Sequence, residues 1–117
     1  MQANVQCMTM DVGAQLRKGV VEYCILGVLA TEPTYGWKLS EGLVSRGLIA
    51  SIGTLYPILS RLRAQGLVSS FDQQSDAGPS RRYYRVTESG LRQLSAFRTH
   101  WGPFARTVHE LVGEDSP

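Results

Sequence analysis

The chain has 117 residues, 43% of them hydrophobic and 19% charged, with a formal net charge of +2. That composition makes one globular domain with a modest core and excludes a disordered chain, and a chain this short often self-associates to bury more surface. No apolar run reaches membrane-spanning length and no basic-then-apolar leader opens the chain, so a cytoplasmic location away from membranes is expected.

The cysteines, Cys7 and Cys24, do not read as a disulfide pair. Cys24 falls in an apolar helical pattern and Cys7 in a polar leader, which fits a reduced, intracellular protein. The overall charge is weak support for a polyanion partner, but its distribution is uneven. From Ser51 to Val86 the cations are Arg61, Arg63, Arg81, Arg82 and Arg85, against only Asp72 and Asp76.

Residues 1–13 show no periodicity and are expected to form a mobile leader. The first helix is expected from Ala14 to Ala30, with Leu16, Val20, Val21, Cys24, Ile25, Val28 and Leu29 on a broad apolar face and Arg17, Lys18 and Glu22 on the polar side. Pro33 breaks the pattern, because it pushes Glu32 out of the helical region. A short helix should follow from Tyr35 to Arg46, with Leu39, Leu43 and Val44 apolar, ended by Gly47.

The stretch SIGTLYPILSRLRAQGL, Ser51 to Leu67, is the most informative. Ser51 is a helix N-cap candidate, and Gly66 stands where a left-handed C-terminal residue suits glycine. Leu55, Ile58, Leu59 and Leu62 recur at helical spacing. The other face carries Thr54, Tyr56, Pro57, Ser60, Arg61 and Arg63, none of them acidic. Pro57 lies near enough to the start to be tolerated, since first-turn amides lack internal partners. A helix with one apolar face and one hydrogen-bonding, non-acidic face suits the DNA major groove; a merely solvated face would look similar. Helix, turn, helix with the second polar face basic is the helix-turn-helix arrangement.

After Gly66, the run Leu67 to Phe71 reads as a strand, Asp72 to Ser80 as a turn, and Arg81 to Val86 as a second strand. The two make a hairpin wing, with Arg81 and Arg82 expected at its tip end, where they can reach phosphates or the minor groove. Thr87 is an N-cap candidate for the last helix, and Glu88 suits the positive end of its dipole. There Leu94, Phe97, Trp101, Phe104, Val108 and Leu111 step by three and four, a heptad seam. The seam could pack on the domain's own first helix, but a monomer this small would struggle to cover that row, so the seam is expected to join two copies in a homodimer, whose symmetry would suit a palindromic site. Pro103 should kink or restart the helix. The organisation expected is therefore a leader over 1–13, a DNA-binding unit over 14–86, and a dimerisation helix and acidic tail over 87–117.

These segments resemble the PadR-type transcriptional regulators, in the short subfamily with a single C-terminal helix. The resemblance is carried by LRKGVVEYCILGVL (16–29), YGWKL (35–39), SIGTLYPILSRLRAQGLV (51–68) and SRRYYRVTESGLRQL (80–94). It implies a mainly α, α+β winged helix-turn-helix dimer, usually a repressor that releases DNA when a small molecule binds. By position it implies DNA contacts from Tyr35 and Lys38 in the second helix. It also implies them from Ser51, Gly53, Thr54, Tyr56, Pro57 and Arg61 in the recognition helix, and from Arg81, Arg82 and Tyr83 in the wing. Trp101 matches a tryptophan on which multidrug-binding relatives stack planar aromatic ligands, with Phe97 and Phe104 beside it. Gly102-Pro103 departs from that pattern, and Pro79 stands where the family often has glycine.

No catalytic constellation emerges, so an enzyme is not expected and no cofactor is implied. His100 and His109 are nine apart, which is not a same-face metal spacing, although with Cys7 or Cys24 they could build an intersubunit site in a metal-responsive repressor. The other rival is a winged helix that docks on protein instead of DNA.

Overall fold

The structure, a computed structural model, describes residues 12–113. Most of the expected leader, residues 1–11 including Cys7, lies outside the described residues. Val12 and Gly13, expected in the leader, are helical.

The expected first helix is two helices. α1 spans 12–18 and α2 spans Val21–Thr31. They are separated by a tight turn at Gly19–Val20, where the Val20 amide donates to the Arg17 carbonyl at 3.0 Å. Glycine disfavours helix continuation, and the break lets α2 alone turn its apolar side inward. Val21, Ile25, Leu26 and Leu29 are buried, whereas Leu16, expected on the same face, is 70% exposed.

A two-residue strand, β1 (Thr34–Tyr35), precedes α3 (Gly36–Ser45). Tyr35 was expected to open the helix; it is extended instead and pairs with Tyr83. Pro33 favours extended backbone around it, and the open edge of the wing supplies the hydrogen bonds that extended backbone needs. α4 spans Ile52–Ala64 and carries the recognition sequence. Ser51 occupies the N-cap with extended backbone, yet its hydroxyl makes no capping bond. The Thr54 amide bonds the Ser51 carbonyl at 3.0 Å, closing the first turn through the backbone. Both α3 and α4 stop as expected at glycines in the left-handed region, Gly47 and Gly66. In each case the next amide reaches five residues back, Leu48 to Leu43 at 3.0 Å and Leu67 to Leu62 at 2.9 Å, which satisfies a carbonyl the helix leaves open.

β2 (Val68–Ser75) and β3 (Gly78–Val86) form the wing, and the antiparallel sheet runs β1-β3-β2. The expected turn over 72–80 is mostly strand. Arg82 lies opposite Asp72 and Arg81 opposite Gln73, so both arginines are mid-wing and the tip is Asp76–Ala77. This segment is held by its backbone ladder with nearly every side chain open, which leaves no apolar alternation to read.

α5 spans Glu88–Val112 without interruption, so Pro103 does not restart the helix. It removes one amide donor from a long helix, and its ring is exposed. Thr87 caps α5 as expected: its hydroxyl accepts from the Gly90 amide at 3.0 Å and donates to the Gly66 carbonyl at 2.6 Å. The core gathers Ile25 and Leu26 from α2, Leu39 and Leu43 from α3, Leu55, Leu59 and Leu62 from α4, and Val68 from β2. The result is the α+β, mainly helical, winged helix-turn-helix expected from the sequence, with α4 seated on its apolar side and its other faces open.

Candidate nucleic-acid interface

Helical periodicity divides the exposed part of α4. Leu55, Ile58, Leu59 and Leu62 face the core. Gly53, Pro57, Ser60 and Ala64 fall on the opposite crest, where every side chain is small or compact and the helix can approach a groove floor closely. Tyr56 and Arg63 fall on the flank toward the wing. Thr54 and Arg61 fall on the other flank, toward α2.

Between α4 and the wing lies an open cleft of about 710 Å³. The start of α3 gives it Tyr35, Gly36 and Trp37; α4 gives Tyr56, Leu59, Ser60 and Arg63; β3 gives Arg81, Arg82 and Tyr84. Aromatic walls with guanidinium groups suit a sugar–phosphate backbone. Gly36 shapes the wall, because a Cβ there would meet the Tyr56 hydroxyl at 2.9 Å. Burial, above all else, holds the Tyr84 phenol above its ordinary pKa.

Adjacent strand residues point to opposite faces. Arg82 lies on the α4 side with Tyr84, 3.5 Å from the Asp72 carboxylate. Arg81 leaves the strand on the outer side, but its guanidinium stacks over the Tyr35 ring at 4.6 Å and with that ring borders the cleft. Tyr83, expected to touch DNA, is half-buried in an outer aromatic ladder, 5.4 Å from Tyr35 and 5.6 Å from Phe71. Arg85 closes that ladder over Phe71 at 4.6 Å.

The structure thus brings Tyr35, Tyr56, Arg81 and Arg82 to one cleft and leaves Ser51, Gly53, Thr54 and Pro57 exposed along α4. Three expected residues stand elsewhere, Tyr83 in the outer aromatic ladder, Lys38 and Arg61. Lys38 lines a separate groove beside Thr31 and Glu32, with its ammonium 4.0 Å from Glu32. Arg61 turns to α2, where Nε donates to Glu22 at 2.8 Å and Nη2 donates to the same oxygen. Trp37, 60% exposed, and Arg63, bonded to the Ser70 hydroxyl at 3.0 Å, were not among the expected site residues. Helical periodicity in the sequence separates Tyr56 and Arg63 from Arg61, while the packing of α4 sets which flank faces the cleft.

A second aromatic feature runs along α5. Phe97 stacks on Tyr23 of α2 at 4.2 Å, with the rings 12° apart. Trp101 follows at 5.4 Å from Phe97, and Phe104 at 6.5 Å from Trp101. The expected intersubunit seam therefore divides. Leu94 is only 4% exposed, packed in its own domain's core. Trp101, Phe104, Val108 and Leu111 remain open, Phe104 at 62% and Leu111 at 84%.

Among the described residues, no three His, Cys, Asp or Glu side chains are grouped to hold a metal ion, and no helix is long and apolar enough to cross a membrane.

Fold and cleft together define a winged helix DNA-binding protein. Residues 25–96 match the transcriptional regulator PadR-like family, and the chain belongs to that family of transcriptional regulators, which are not enzymes. It is 36% identical over 94 residues to the transcriptional regulator Rv3488 of Mycobacterium tuberculosis, covering 80% of this chain and 87% of that one. A PadR-like regulator from Bacillus cereus is 38% identical with a TM-score of 0.77, covering 86% of this chain and 99% of the other. A PadR family regulator from Eggerthella lenta is 31% identical with a TM-score of 0.79, covering 98% and 100%.

Proposed function

We propose that the protein is a homodimeric repressor, acting in the cytoplasm on a palindromic operator, and that a small planar aromatic molecule bound between paired α5 helices releases it. The observation that carries the dimer is the open row Trp101, Phe104, Val108 and Leu111 on one side of α5. A contiguous apolar strip of that kind on a small chain marks an association surface. Val12 and Leu16 of α1 add further unpartnered apolar area. Two-fold pairing would place two copies of α4 at a fixed separation, which a palindromic duplex matches. In each copy Thr54 and Tyr56 would reach base edges, while Tyr35, Arg63, Arg81 and Arg82 would hold phosphates.

The release step rests on Trp101, whose indole is 45% exposed in one chain and lies between two phenyl rings. A flat cation or heteroaromatic can stack there, and Phe97 beside it touches α2 directly. Sedimentation velocity with a mobility shift on a duplex selected from a random pool tests both parts. A dimer that binds the selected duplex, and loses it when a planar dye quenches Trp101, is expected. A monomer at micromolar concentration, or quenching that leaves DNA binding untouched, overturns the corresponding half.

A further inference from the structure

We infer that Glu22 is a positioning residue for the recognition helix, acting through Arg61 and coupled by its neighbour Tyr23 to α5. This rests on the reading of α4 as the element that enters DNA. Arg61 is in the last third of α4, whereas the N-terminal residues of a recognition helix are the ones that reach base edges. Its guanidinium is also on the flank away from the cleft, and both its Nε, at 2.8 Å, and its Nη2 donate to one oxygen of Glu22. The pair joins the first turn of α2 to the far end of α4, 39 residues apart in sequence.

The next residue, Tyr23, is committed in another direction, stacked on Phe97 of α5 at 4.2 Å. Consecutive residues in one turn of α2 therefore grip two different helices. Phe97 in turn lies against Trp101 at 5.4 Å. The path from Trp101 to α4 runs by ring stacking through Phe97 to Tyr23, along the α2 backbone to Glu22, and by the ion pair to Arg61. Arg61 is about half exposed and Glu22 less so, and ion pairs this open add little to global stability. What the pair does is fix the angle of α4 relative to α2, and so relative to α5.

The sign of one substitution separates this role from simple charge. Glu22→Ala removes an acidic group, so electrostatics alone would tighten binding to any duplex. Positioning requires the opposite on a specific duplex. The experiment uses the full chain, an operator recovered by selection from random duplex, and the random pool itself, read by fluorescence anisotropy. Glu22→Ala and Arg61→Ala should each weaken the selected duplex by about twofold to fivefold, the range an open ion pair can supply. Random-pool binding by Glu22→Ala should be unchanged or tighter, and its melting temperature should match wild type. The charge swap, Glu22→Arg with Arg61→Glu, should recover most of the loss. Moving the half-sites apart by one base pair should penalise wild type more than Glu22→Ala, a readout that a purely structural pair would not move. If Glu22→Ala tightens both duplexes, or Arg61→Ala alone loses affinity and the swap does not recover it, Arg61 contacts DNA itself and the inference fails. Failure of the wild type to enrich any duplex would instead remove the reading of α4, and this inference with it.

Discussion

At the scale of single residues, two glycines show how the same absent side chain serves different ends. At Gly90 a Cβ would stand 2.2 Å from the Leu67 carbonyl and 2.6 Å from a Val86 methyl. Backbone is in the way, so Gly90→Ala must push α5 off the wing and should cost roughly 1–3 kcal/mol in urea unfolding. At Gly36 the obstacle is the mobile end of Tyr56. Gly36→Ala should therefore melt close to wild type but bind DNA more weakly, because the phenol that lines the cleft is displaced. Arg63 gives a third test. If its guanidinium meets a phosphate, Arg63→Ala should weaken all sequences alike and reduce the salt slope by about 1, measured by titration of a random duplex at several salt concentrations. Glu22 and Arg61 belong to this scale as well: both side chains were readable as polar, but that each is the other's partner was not.

At the scale of elements, caps and stops were the most legible features, because they depend on a few local atoms. Thr87 caps α5 and also donates to the Gly66 carbonyl, so it joins the end of α4 to the start of α5. Thr87→Ala should cost about 1 kcal/mol or somewhat more, the usual value for a lost N-cap, seen as a shifted urea midpoint with unchanged slope. Ser51 shows the limit of the same reasoning. It has the right residue type and backbone for a cap, yet its hydroxyl makes no capping bond. The wing arginines were misplaced along their hairpin for a related reason. A Gln- and Ser-rich segment, exposed on both faces, reads as a turn by composition, although its backbone pairs as far as Ser75 with Gly78. β1 was missed because two residues carry no periodicity; only the nearby edge of β3 makes them a strand.

At the scale of the whole molecule, α5 is the element whose role one chain leaves incomplete. Its 25 residues span about 37 Å at the usual helical rise, and only the first half is anchored on α2. In the proposed dimer, Phe104→Glu would put a charge into an apolar contact. It should sediment as a monomer and lose about 100-fold or more on a two-half-site duplex, as tethered pairs of binding units do when uncoupled. Its affinity for random duplex should change far less. The amino-acid sequence by itself determined what depends on neighbours within a few residues: the apolar stripe of α4, its glycine stop, the cap of α5, the excess of arginine near the wing, and hence the family. Only the tertiary structure decided which cation faces the cleft and which faces α2. It also decided that Arg81 and Arg82 sit mid-wing and not at its tip, and that the α5 seam splits between its own domain and open solvent. Those choices turn on contacts between residues far apart in the chain, such as Glu22 with Arg61 and Tyr23 with Phe97, and local spacing holds no record of them.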